Sequence, residues 1–152
     1  MISNSHFYLC SDLNTGLDFN YRYQVEMPIF SQSMKKGHPI TKFDNYKSFS
    51  SSMLFNEQLL VKLIGIKLSC QTGIDDNFAF FKGTYRSEQI IEIIKSIVIE
   101  YILCKNCDRP EVELSVRKNQ LYHKCKACGT KYYIQDNGEK IYETIKKQLK
   151  NN

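Results

Sequence analysis

The chain has 152 residues, of which 42% are hydrophobic and 12% aromatic, with ten Tyr, nine Phe and no Trp. That is enough apolar material to bury a core, which excludes a wholly disordered chain, and the length suits one ordinary domain or a smaller core with an appended module. The net charge is +5, yet residues 1 to 103 balance ten Lys and Arg against ten Asp and Glu, so the excess lies in residues 104 to 152, where eleven face six.

Residues 1–37 mix polar and aromatic side chains without a sustained helical period and read as a partly flexible amino-terminal arm. Within it "YRYQVEMPIF" forms a short extended segment ending against Pro28, because a residue before proline is pushed out of the helical region. Residues 38–103 read as an α-β core. "HPITKF" predicts a strand, Asp44 an N-cap for a short helix over Tyr46 to Met53, and Asn56 the cap of a helix whose Leu59, Leu60, Leu63, Ile64 and Leu68 share one face despite Gly65. A turn at Asp75, Asp76 and Asn77 leads into a strand from Phe78 to Lys82, closed by Gly83. Ser87 then caps a long helix with Ile90, Ile94, Ile97, Val98 and Tyr101 on one stripe, a stripe wide enough to require burial.

Residues 104–134 change character. Cys104 and Cys107 form one Cys-x-x-Cys knuckle and Cys125 and Cys128 a second, with seventeen residues between the two. Two residues between cysteines let a tight turn present both sulfurs to one ion, and two knuckles complete a tetrahedral shell for a single structural Zn2+. Such a closed shell has no open position for water, which argues against catalysis at the metal. "EVELSV", a turn at Arg117 to Gln120 and "LYHK" make a hairpin between the knuckles, with His123 as one of its side chains and not a ligand. Gly129 is placed to supply a positive φ. "KYYI" adds a strand, and residues 135–152 read as a turn and a carboxy-terminal helix with Ile141, Ile145 and Leu149 four apart. The fold class expected is thus α+β, a small helix-on-sheet core followed by a four-cysteine zinc ribbon.

Seven cations surround the ribbon, Lys105, Arg109, Arg117, Lys118, Lys124, Lys126 and Lys131, interleaved with Tyr122 and Tyr132, a composition suited to an RNA backbone and unstacked bases. A merely solvated charged surface is the alternative. Cys10 and Cys70 lack a partner pattern and read as ordinary thiols. No phosphate-binding glycine loop, His-Glu-x-x-His helix or nucleophile elbow is present, so an enzyme is not expected. The apolar run Ile90 to Leu103 is broken by Glu92, Lys95, Ser96 and Glu100, and "MISNSHFYLC" has no basic start before an apolar stretch, so neither a membrane span nor a secretory signal is read and a cytoplasmic location is expected.

The stretches "TGIDDN", "KGTY", "IEYILCKNC" and "KCKACG" resemble the beta subunit of translation initiation factor 2 and the related amino-terminal domain of translation initiation factor 5, over about Arg22 to Thr130. The resemblance implies an amino-terminal arm, an α-β core and a zinc ribbon. It also implies partners: the GTP-binding gamma subunit, initiator methionyl-tRNA, the small ribosomal subunit and other initiation factors. In the factor 5 branch an arginine in a Tyr-Arg-Tyr context before Met-Pro acts as a finger stimulating GTP hydrolysis, and "YRYQVEMP" would offer Arg22, although Val25 and Glu26 lengthen that spacing. Read as the beta subunit, "RYQVEMP" needs no insertion, and this branch is the favoured expectation even though the arm before Tyr21 lacks a regular apolar helix. A zinc-ribbon transcription factor is a further alternative.

Overall fold

The computed structural model describes residues 6–8, 24–51, 56–107 and 112–150. They fall into two compact units, one built on Val25–Ile94 and the other on Lys95–Asn152. Strands β1 (His6–Tyr8) and β2 (Gln24–Glu26) pair as a two-stranded sheet.

The first unit is a four-stranded antiparallel sheet in the order β3-β4-β6-β5, formed by Phe30–Lys35, His38–Phe43, Ala79–Lys82 and Thr72–Ile74. The expected start of the core at residue 38 moves back, because Phe30 to Lys35 is not part of an arm: it pairs in register with β4 from Phe30↔Phe43 to Lys35↔His38. "FSQSMK" hides this role because it is an edge strand, with Met34 63% exposed, and an edge strand does not need the apolar alternation of a half-buried one. Met27 and Ile29, just before it, are fixed by Asn45, whose side-chain amide donates to the Met27 carbonyl (2.9 Å) and accepts from the Ile29 N–H (2.8 Å).

Helix α1 (Tyr46–Ser51) follows β4. Its first backbone bond, from the Phe49 N–H, goes to the Asn45 carbonyl, and Asp44, expected as the cap, instead accepts from the Ser31 hydroxyl at 2.8 Å. Phe49 lies 5.8 Å from Phe43, which in turn lies 4.8 Å from Phe30, so aromatic rings join the helix to two strands. Helix α2 (Glu57–Leu68) is capped as the sequence predicts, with the Asn56 side chain accepting from the Leu59 N–H at 2.7 Å. Leu59, Leu60, Leu63 and Ile64 are buried, each such burial contributing about 1.5–3 kcal/mol. Gly65 lets this helix approach β5 closely, since a Cβ there would overlap the Thr72 methyl group. Buried Thr41 accepts from the Tyr85 N–H and donates to the Gly83 carbonyl, each at 3.0 Å, which pins "KGTY" to the sheet.

Helix α3 (Ser87–Ile97) begins with Ser87 as its first residue, not its cap; the preceding Arg86 carbonyl takes the Gln89 and Ile90 N–H groups. The expected stripe of Ile90, Ile94, Ile97, Val98 and Tyr101 is buried throughout. The helix does not reach residue 103 in α form. Val98–Ile102 is a π turn, closed by the Leu103 N–H on the Val98 carbonyl at 2.9 Å. Leu103, just after that turn, is already extended (φ −77°, ψ 137°) and leads into the first cysteine.

In the second unit β7 (Val112–Arg117), β8 (Gln120–Cys125) and β9 (Lys131–Ile134) form a three-stranded antiparallel sheet. Lys118 and Asn119 both take the left-handed conformation, φ 53° and 61°, making a tight hairpin of the kind that matches strand twist. Helix α4 (Lys140–Lys150) packs on β7 and β8 through Ile141, Tyr142 and Ile145, all buried. The Tyr142 hydroxyl accepts from the Leu121 N–H (3.1 Å) and donates to the Ile134 carbonyl (2.8 Å), bridging the two strands where the pair Leu121↔Ile134 ends the ladder.

Candidate metal centre and ribbon face

The four cysteines predicted as ligands are brought together. The sulfurs of Cys104, Cys107, Cys125 and Cys128 lie within 4.8 Å of one another. Cys104 and Cys128 are 3.7 Å apart and Cys107 and Cys125 3.6 Å. A tetrahedron with metal–sulfur bonds of about 2.3 Å has edges of about 3.8 Å, which these two pairs match, so the cluster is compatible with a four-thiolate ion.

Backbone and neighbouring side chains organise this shell. The Asn106 N–H donates to Cys104 Sγ (3.3 Å) and its side-chain amide reaches Cys128 Sγ at 3.5 Å. Gly129, at φ +81°, donates its N–H to the Cys125 carbonyl (3.0 Å), and the Cys125 N–H returns to the Thr130 carbonyl (2.9 Å), closing the second knuckle. Cys104 and Cys125 are 1% exposed, whereas Cys128 is at the surface. Burial pushes the Cys104 thiol up. The Thr130 hydroxyl, 3.0 Å away, and Asn106 hold Cys128 down to about 5.

His123 is buried and lies outside the four-cysteine cluster. Its ring stacks on Tyr132 at 4.4 Å and 17°, and its nitrogens lie by the Ile102 and Leu103 backbone without a hydrogen bond of good geometry among the described residues. Burial holds it below the usual histidine range, hence neutral.

The alternation of the strands sorts the remaining residues by face. Val112, Leu114, Leu121, His123, Cys125 and Ile134 point inward, and Tyr132 follows its register partner His123. The opposite face carries Arg117, Tyr122, Lys124, Lys131 and Tyr133. Of the seven cations predicted for RNA, three therefore share this outer face. Lys118 sits in the hairpin turn, and Lys126 in the second knuckle faces Glu113 at 4.0 Å. Lys105 belongs to the first knuckle, 5.5 Å from the Tyr132 ring. Arg109 and Arg22 lie outside the described residues, as does Cys10. Of the two tyrosines expected among these cations, Tyr132 faces inward with His123, and Tyr122 pairs with Tyr133, their rings 5.1 Å apart. The signal was present in "KYYI", since adjacent residues of a strand point to opposite faces.

An antiparallel sheet clasped by helices, together with a ribbon bearing a four-cysteine centre, defines a helix-and-sheet protein with an appended metal ribbon. The chain belongs to the family described as a domain found in initiation factors 2B and 5, which matches residues 14–131. It is 30% identical over 116 residues to eukaryotic translation initiation factor 5 of Caenorhabditis elegans, covering 74% of this chain and 27% of that protein. It is 30% identical over 89 residues to the translation initiation factor 2 subunit beta of Methanoregula boonei, covering 59% of this chain and 44% of that protein. With the same subunit of Methanopyrus kandleri the identity is 27% over 108 residues, 71% of this chain and 75% of that protein. The chain thus spans only part of each relative, and helix α4 lies beyond the residues that the family matches. Among the described residues no helix is long and apolar enough to cross a membrane.

Proposed function

We propose that the chain is a cytoplasmic translation initiation factor serving as the beta subunit of the GTP-binding factor 2 complex. In this role it binds the gamma subunit and helps deliver initiator methionyl-tRNA to the small ribosomal subunit beside other initiation factors. The match of residues 14–131 to a domain shared by such factors carries the reading. The sequence "RYQVEMP" favours the beta branch, which it resembles without an insertion; in this chain Met27 and Ile29 are fixed by Asn45 directly ahead of an edge strand. One structural zinc ion held by Cys104, Cys107, Cys125 and Cys128 would lock the two knuckles together, and the closed thiolate shell suits a folding role. The ribbon's cations, from Lys105 through Arg109, Arg117, Lys118, Lys124 and Lys126 to Lys131, serve RNA by neutralising phosphates.

A second reading is favoured by the wider match to factor 5, which covers 74% of the chain. In it the chain stimulates GTP hydrolysis on gamma through Arg22, a role worth about a thousandfold or more in rate. Calorimetry of the chain with isolated gamma subunit, once with GDP and once with a GTP analogue, separates the two. Tight binding indifferent to nucleotide supports the beta subunit. Strongly nucleotide-dependent binding, with hydrolysis lost in Arg22→Ala, supports the activator. Absence of binding to gamma refutes both.

A further inference from the structure

The outer face of the ribbon has an order that charge alone does not explain. Its central row is Ser115, Tyr122 and Tyr133 across three strands, with the two rings 5.1 Å apart at 65°. On one side the Arg117 guanidinium lies 4.5 Å from the Tyr122 ring. On the other, the register partners Lys124 and Lys131 are both exposed. Among the described residues this face holds one carboxylate, Glu113, which Lys126 faces at 4.0 Å. Tyr133, on the edge strand β9, is 38% exposed. An apolar ring left open between cations suits a ligand that is flat, aromatic and anionic.

We propose that Tyr122 and Tyr133 form a stacking platform for unpaired bases of an RNA strand, with Arg117 at one end and Lys124 and Lys131 at the other following its phosphates. The proposal rests on the reading of the ribbon as an RNA-facing module and adds what that module recognises. A duplex keeps its base faces stacked within the helix, so only a single-stranded or splayed segment can lie on the rings. Stacking contributes an affinity component that salt does not screen, alongside the cation component that salt weakens.

The test uses the full zinc-loaded chain with a short single-stranded oligouridylate and a duplex of equal length. Tyr133→Leu and Tyr122→Leu should each weaken single-strand binding by about 5- to 150-fold, while the slope of log affinity against log salt stays as in the parent. Lys124→Ala with Lys131→Ala should flatten that slope by about 0.7 per cation. Because the chain has no Trp, Tyr133→Trp supplies a single reporter whose fluorescence the single strand should quench and the duplex should not. Zinc content and circular dichroism of each variant show that it has folded. Unchanged affinity in both leucine variants with an unquenched tryptophan overturns the platform and leaves the RNA reading standing. No binding of either RNA by the parent chain overturns both.

Discussion

Replacing Tyr142 by Phe removes a single oxygen from a ring that is 1% exposed. That oxygen serves two backbone groups, the Leu121 N–H at 3.1 Å and the Ile134 carbonyl at 2.8 Å, and the phenyl ring of the variant fills the same space without reaching either. Each hydrogen bond contributes about 1 kcal/mol net, and each buried group left without a partner costs about 1–3 kcal/mol. The expected loss is therefore about 2–4 kcal/mol in the ribbon. Because the chain has two compact units, a single melting temperature is a poor readout. Amide exchange resolves the ribbon from the rest: protection at Leu121 and along β8 and β9 should fall by about 30- to 1000-fold, using the conversion of about 1.4 kcal/mol per tenfold. Protection in β4 and β6 should be unchanged. A loss below about 0.5 kcal/mol, with Leu121 still protected, would refute the view that this hydroxyl completes the ladder.

Removing zinc with a chelator should expose the amides of residues 104–107 and 125–130 and leave β3 to β6 protected; acid should act likewise, because protons compete for the thiolates. A metal-to-protein ratio near zero in native material would end the zinc reading. His123→Phe should change stability by less than about 1 kcal/mol, since among the described residues the buried ring nitrogens make no hydrogen bond of good geometry; urea titration showing a larger loss would mean that the nearby Ile102 and Leu103 backbone groups bond to them. Asn56→Ala should destabilise α2 by about 1 kcal/mol and Asn56→Gly by only a few tenths. No measurable cost for Asn56→Ala would show that the 2.7 Å bond to the Leu59 N–H contributes nothing.

Where local chemistry alone decides the conformation, the sequence was legible. The knuckles, the Asn56 cap, β4 over His38–Phe43 and β9 over Lys131–Ile134 all follow from residues close together in the chain. What escaped was decided by partners far along it. "FSQSMK" becomes a strand because His38–Phe43 offers it an edge, and nothing inside those six residues announces this. The four ligands could be read from spacing; the tyrosine pair needed the strand period applied to two neighbouring residues. The spacing of Ile141 and Ile145 announced an amphipathic helix without saying what it would cover.

The hairpin turn opposite the cysteines has a consequence for the metal. Its Asn119 carbonyl accepts from Lys146 (3.4 Å), its side chain accepts from Lys150, and Lys146 is itself held by Glu143 at 3.0 Å. The helix thus latches the ribbon at the end away from the cysteines, and an ion held by the four thiolates would latch the other. A chelator should then open the knuckles and leave the strand register in place, so that rebinding would need only two knuckles to close and not a sheet to find its alignment again.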